Sequence, residues 1–208
     1  MIDHHFDKVF CINLTRRPDR LAQAQDEFAK YGIRVEFVAG VDGLSLPEQN
    51  MISKDGLKVS RGDLGCTLSH LKVVRMAKEQ NLKSYFVFED DVEFAPDINA
   101  KFFAYMYQLP ADWDMLYLGG NHMGGFDAVT ENIAKIHLTY TTHAIGVKAK
   151  AYDALIEVLG RENDKVDICF AELHEKLNCY VTRPHLAFQR PSFSDILEKE
   201  TDYQHLRK

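Results

Sequence analysis

Residues 8–38 read as strand, helix, strand, and this order constrains the fold more than anything else in the chain. Residues 8–14 form an apolar run of strand length, and Thr15, Arg16, Arg17 and Pro18 follow it. Residues 19–30 have helical composition, with Pro18 at a first helical position, where its missing N–H costs nothing. Gly32 closes that helix, and residues 33–38 return to a strand pattern. A β-α-β opening favours an α/β fold with parallel strands.

The rest of the chain extends this pattern. A short helix is expected near residues 47–52 and a long one over 62–80, with Asp63 as its cap and Leu64, Leu68, Leu71 and Val74 as its apolar stripe. Residues 84–88 and 113–118 read as strands around a helix at 97–108. A glycine-bearing loop at 121–132 precedes extended structure at 136–147 and helices at 149–159 and 166–177. Residues 179–182 are a short strand, and the chain from Pro184 onward reads as irregular. With no repeat or linker, this is one domain over residues 1–190 with an extension over 191–208.

Composition removes several function classes. The 46% hydrophobic and 27% charged fractions are those of a globular protein. A net charge of −6 argues against nucleic acid as a partner, and the basic patch of Arg16, Arg17 and Arg20 suits one anionic ligand better than a polymer. No apolar run reaches the roughly 20 residues of a membrane span. The first residues lack the basic and apolar pattern of a signal peptide. A cytoplasmic location is therefore expected, with peripheral association with a membrane left open. Cys11, Cys66, Cys169 and Cys179 stand singly and are expected to be reduced core thiols.

The sharpest local feature is Glu89-Asp90-Asp91, directly after the aromatic strand residues Phe86, Val87 and Phe88. Ligands of open α/β sheets collect at the carboxyl ends of strands. On an extended segment Glu89 and Asp91 would share one side and Asp90 would take the other. One carboxylate could then hold Mn²⁺ or Mg²⁺ while its neighbour contacts a sugar hydroxyl. A solvated acidic turn is the plainer alternative.

The chain resembles glycosyltransferase family 25, which includes lipopolysaccharide-type sugar transferases and collagen galactosyltransferases. The matching segments are Ile12-Asn-Leu-Thr-Arg-Arg-Pro-Asp-Arg20, Val41-Asp-Gly43, Gly62-Asp-Leu-Gly-Cys-Thr-Leu-Ser-His70 and Phe88-Glu-Asp-Asp-Val-Glu-Phe94. Asp114-Met-Leu-Tyr-Leu-Gly119, Val166-Asp167 and Ser194-Asp-Ile196 continue them in the family's order. The segment Thr141-Thr-His143-Ala-Ile-Gly146 departs from the more usual Thr-x-Ala-Tyr. The resemblance implies a GT-A-type single domain, a Rossmann-like mixed sheet flanked by helices. It also implies a UDP-sugar donor, often UDP-galactose, and transfer with inversion to a saccharide, lipid-linked saccharide or protein hydroxyl. Glu89-Asp90-Asp91 looks like the family's DxD metal motif, which makes Asp91 the expected direct ligand and Asp90 a contact to metal or ribose.

Several further residues are candidates around that site. Asn13, Leu14, Arg16, Arg17 and Arg20 lie at a strand-to-helix junction suited to an anion, although the arginines could instead pair with nearby carboxylates. Asp42, Ser69, His70, Glu89 and Asp90 complete the expected donor contacts; the other reading makes Gly65 and Cys66 small residues for packing of helix on sheet, with His70 merely polar. An inverting transfer needs one general base, and Asp167 is the candidate, with a helix N-cap as its equal alternative. Glu172 and Asp195 are reserves. His143 or His185 could add a metal ligand, and the stretch with Gln189 and Asp195 is placed to close over the donor. Two other functions compete with transfer: a silent domain that binds sugar nucleotide or a protein partner, and a metal-dependent nucleotidyltransferase or hydrolase.

Overall fold

The computed structural model describes residues 1–48, 50–196 and 199–203. In chain order the first half comprises β1 (Lys8–Asn13), α1 (Pro18–Tyr31), β2 (Glu36–Ala39), α2 (Arg61–Glu79), β3 (Ser84–Glu89), β4 (Val92–Phe94) and α3 (Ile98–Met106). The second half adds β5 (Met115–Tyr117), β6 (Asn121–His122), β7 (Phe126–Ala128), β8 (Ile133–Ile136), β9 (Thr139–Tyr140) and β10 (Ala144–Lys148). It ends with α4 (Tyr152–Leu159), α5 (Val166–Ala171), β11 (Cys179–Thr182), β12 (Ala187–Gln189), β13 (Ser192–Ser194) and β14 (Lys199–Thr201).

Eight of these strands form one mixed sheet in the order β2-β1-β3-β10-β5-β11-β8-β7. β1 runs parallel to β2 and β3, and β5 runs parallel to β11. β10 lies antiparallel between β3 and β5. This is the expected mixed α/β sheet flanked by helices. Alternation along the central strands supplies both faces. Phe10, Tyr85 and Val87 point into a core shared with Leu71, Val74, Leu155 and Phe170 from α2, α4 and α5. Val9, Phe86 and Phe88 point the opposite way, into a core with Phe28 of α1 and Phe102 of α3. Burial of rings such as Phe88, fully enclosed and edge-on to Phe28 and Phe94, is worth about 1.5–3 kcal/mol each.

The helix ends follow their local chemistry, with some corrections to expectation. Pro18 does begin α1, and Gly32 ends it in the left-handed region at φ 66°, its N–H bonded back to Phe28 and Ala29. α2 starts at Arg61, one residue earlier than expected, because Ser60 is the cap and Asp63 is its reciprocal partner at the third position. The described part of 47–52 is not helical; Gly43–Ser45 forms a single 3₁₀ turn instead. α5 stops at Ala171, well short of 177. Beyond Pro184 the chain pairs in short strands, β12 with β4 and β13 with β14. No helix among the described residues is long and apolar enough to cross a membrane.

Candidate functional site

The parallel register of β1 and β3 sets the site. Ile12 lies opposite Glu89, so the two strands end together and Asn13 comes beside Asp90. Asn13 donates from Nδ2 to Asp90 Oδ2 at 2.7 Å. β3 stops at Glu89, and Asp90 and Asp91 form the turn that reverses into β4. The alternation expected for an extended triplet therefore fails here. Asp90 and Asp91 meet the same guanidinium, with Arg20 Nη2 at 2.6 and 2.8 Å, while Glu89 turns to the opposite wall.

On that wall α2 and the entry to β10 hold Glu89. His70 Nε2 is 3.2 Å from Glu89 Oε1, and Thr142 donates its hydroxyl to the same oxygen at 2.7 Å. Burial works against the Glu89 charge, but these hydrogen bonds and the charges of His70 and His143 outweigh it and hold the carboxyl at about 2. Asp90 goes the other way: burial outweighs the Arg20 charge and the Asn13 hydrogen bond and raises it to about 6. Asp91 is also raised, first by burial, and its Oδ1 is buried without a hydrogen-bond partner.

Arg16, Arg17 and Arg20 converge on one carboxylate, Asp195. Arg16 Nη1 is 2.6 Å from Asp195 Oδ1, Arg17 bonds Oδ2, and Arg20 Nη1 lies 3.7 Å from Oδ2. Of the two readings of this patch, pairing with carboxylates is the one these contacts display. Arg16 also reaches Asp42 at 2.9 Å, and Asp42 caps the 3₁₀ turn through the N–H of Leu44.

Most of these residues surround a cavity of about 680 Å³, but Asn13, Arg17 and Asp42 are not among its lining. Leu14, Arg16, Arg20, Ser69, His70, the whole acidic triplet, Asp167, Gln189 and Asp195 all line it. Asp167 sits in the first turn of α5, whose cap residue is Lys165, so Asp167 is not the N-cap. Its carboxylate accepts the N–H of Thr141, yet burial and the nearby Glu89 charge raise it to about 6. Thr141 has φ +73°, a strained backbone for a β-branched residue, and its hydroxyl has no partner.

Ser69 accepts the Val41 N–H and donates to the Gly65 carbonyl, which ties the 41–43 segment to α2. A Cβ on Gly65 would lie 2.8 Å from both Gly43 N and Val41 O, so backbone meets backbone there. That contact is why a glycine is tolerated within this helix. Glu172 is held away from the cavity by Lys54 and Arg161. His185 pairs with His122 at 2.9 Å, and His143 bonds the Ala187 carbonyl at 3.2 Å, so both sit behind the cavity wall.

Among the lining residues that the sequence did not point to as part of the site are Cys66, Thr142 and Tyr203. All four cysteines are unpaired as expected, but Cys66 is only half-buried and lines the cavity as well as packing against the core. Its thiol is pushed up by burial and then by the charges of Glu89 and Asp167, so it stays protonated near neutral pH. Spacing was the available signal, because Cys66 and His70 are four apart on one helix face.

In open α/β sheets ligands collect at the carboxyl ends of the strands, where this chain gathers its acidic and basic groups. A family model described as glycosyltransferase family 25 (LPS biosynthesis protein) matches residues 6–158, and the chain belongs to that family. It is 32% identical over 134 residues to procollagen galactosyltransferase 1-A of Xenopus laevis, covering 57% of this chain and 22% of that protein. It is 31% identical over 129 residues to a probable inactive glycosyltransferase 25 family member 3 of Bos taurus, covering 55% and 22%. The chain thus spans about a fifth of these relatives' lengths. Among solved structures it is similar to a glycosyltransferase involved in the glycosylation of the major capsid of PBCV-1, with 11% identity and a TM-score of 0.45 over 75% of this chain and 66% of that one.

Proposed function

We propose that this chain is an inverting glycosyltransferase that moves a hexosyl unit, galactosyl on the analogy of its procollagen relatives, from a UDP-sugar to a hydroxyl acceptor. The observation that carries this reading is the paired carboxylate turn of Asp90 and Asp91 beside Arg20, facing Asp167 around one cavity. The acceptor is a saccharide, lipid-linked saccharide or protein hydroxyl.

The chain's own groups divide the work. Arg16, Arg17 and Arg20 form the anionic subsite for the diphosphate, with Asp195 holding their charges until the donor enters. Asn13 fixes the Asp90 carboxylate for a ribose or metal contact. Asp91 and Asp90 supply oxygen ligands of the kind Mn²⁺ and Mg²⁺ prefer, and the unpartnered Asp91 Oδ1 supports that fit. The cation, when bound, neutralises charge on the departing diphosphate. Asp167 takes the proton from the acceptor hydroxyl, and a carboxyl near 6 is still largely ionised at neutral pH.

The test is release of free UDP from a panel of nucleotide sugars, with a metal series and with EDTA, in the presence and absence of acceptors. Acceptor-stimulated UDP release is the expected result. The probable inactivity of one relative at comparable identity gives the silent-domain reading a specific basis. Binding of donor without turnover under every condition would establish that reading instead, and release of a sugar phosphate would point to cleavage within the diphosphate.

A further inference from the structure

A second set of donor atoms faces the same cavity and differs in chemistry from the Asp90–Asp91 pair. Cys66 and His70 lie one turn apart on α2, and Glu89 reaches them from the end of β3. One ligand atom from each, a sulfur, a ring nitrogen and a carboxylate oxygen, all fall within 4.8 Å of one another. Around a tetrahedral cation at 2.0–2.3 Å, such donors stand roughly 3.3–3.8 Å apart, so small side-chain rotations close the set. The His70 Nε2 to Glu89 Oε1 distance, 3.2 Å, is already in that range.

The surroundings hold these donors in place. Thr142 donates its hydroxyl to Glu89, as an outer partner does for a ligating carboxylate. The His70 ring stands edge-on to Phe170 with centroids 5.7 Å apart, which limits its rotation. Cys66, His70 and Glu89 all line the cavity, so a bound ion would keep one position open toward it.

We propose that Cys66, His70 and Glu89 form a site for a single zinc-class cation, Zn²⁺ or Co²⁺, with three protein ligands and one exchangeable position. The mixed sulfur, nitrogen and oxygen set selects such ions over Mg²⁺ and Mn²⁺, which favour oxygen alone. On binding, the Cys66 thiol gives its proton to solvent and the His70–Glu89 hydrogen bond is replaced by two metal bonds. Glycosyl transfer is not a premise of this proposal, so an inactive chain would still bind the ion.

The experiment is an anaerobic titration of the reduced, metal-free full chain with Co²⁺, followed by absorption spectroscopy. The expected result is a near-ultraviolet thiolate-to-cobalt band that saturates at one equivalent, shows four-coordinate visible intensity and is abolished by one equivalent of Zn²⁺. Cys66→Ser should remove the band, and Asp91→Asn should keep it. Thr142→Val should weaken Co²⁺ binding about 10- to 100-fold by freeing Glu89. No thiolate band in the wild-type chain overturns the proposal. So does a band intact in folded Cys66→Ser, which would place the metal on Cys11, Cys169 or Cys179. If circular dichroism shows that Cys66→Ser does not fold, His70→Gln carries the test, and an unchanged four-coordinate spectrum in that variant is equally fatal.

Discussion

At the scale of single residues, Asp91 and Asp167 carry the strongest expectations. Asp91→Ala removes the buried, unpartnered oxygen while Arg20 keeps Asp90 as a partner, so the fold should survive. Metal-dependent UDP release should vanish in this variant while its circular dichroism stays that of the wild type. Asp167→Asn should lower kcat about 10²- to 10⁴-fold, the usual share of a general base, with donor KM little changed. In the wild type, kcat/KM should rise as pH passes upward through about 6, because Asp167 must be ionised to accept a proton. Stability runs in the opposite sense. Asp90 and Asp167 have folded values raised to about 6, so their contribution is fully present below the ordinary aspartate range and fades as pH rises through 6. Glu89, held at about 2, contributes above its ordinary range and loses that only in strong acid. His122 and His174, lowered to about 4 by burial, oppose the two aspartates over the same range. The test is therefore a difference: the melting temperature of the metal-free wild type relative to that of Asp167→Asn should rise as pH falls from about 7 to 5.

The element scale shows best what the sequence made legible. β1, α1 and β3 could be read because their pattern is local: an aromatic and β-branched run is buried on both faces, and proline and glycine mark the ends of α1. The position of the acidic triplet at a strand end was legible for the same reason. Its division into a Glu89 wall and an Asp90–Asp91 turn was not, because the break is made by β4 turning away to pair with β12, a contact between residues nearly a hundred apart. From sequence Cys66 reads only as a core thiol, because burial and cavity-facing positions share the same helical spacing. Strands β12 to β14 are three residues each, too short for alternation to show. One prediction belongs to this scale. Gly65→Ala should favour an isolated helix by about 1 kcal/mol, but its Cβ would press on the backbone of Val41 and Gly43 at 2.8 Å. A net loss of roughly 1–3 kcal/mol in denaturant unfolding is expected, as for other overpacked contacts.

For the whole molecule, the C-terminal segment matters most. Asp195 arrives from the far end of the sequence to sit among three arginines of the first strand-to-helix junction, and Ile196 packs against Gly62, where a Cβ would lie 3.0 Å from its Cα. On the proposed function, donor entry would exchange one anion for another at this place. Asp195→Asn removes the competing charge, and isothermal titration should show UDP binding more tightly than to the wild type.

The same arrangement bears on how the protein responds to ionic strength. An exposed trio of guanidinium groups would gather chloride or phosphate from solution and shed those ions on ligand capture, which makes affinity fall steeply as salt is added. Here the neutralising carboxylate is tethered to the chain and cannot be diluted. The incoming diphosphate should liberate few mobile ions, so a plot of the logarithm of UDP affinity against that of salt concentration should have a shallow slope, and it should steepen once Asp195 is neutral.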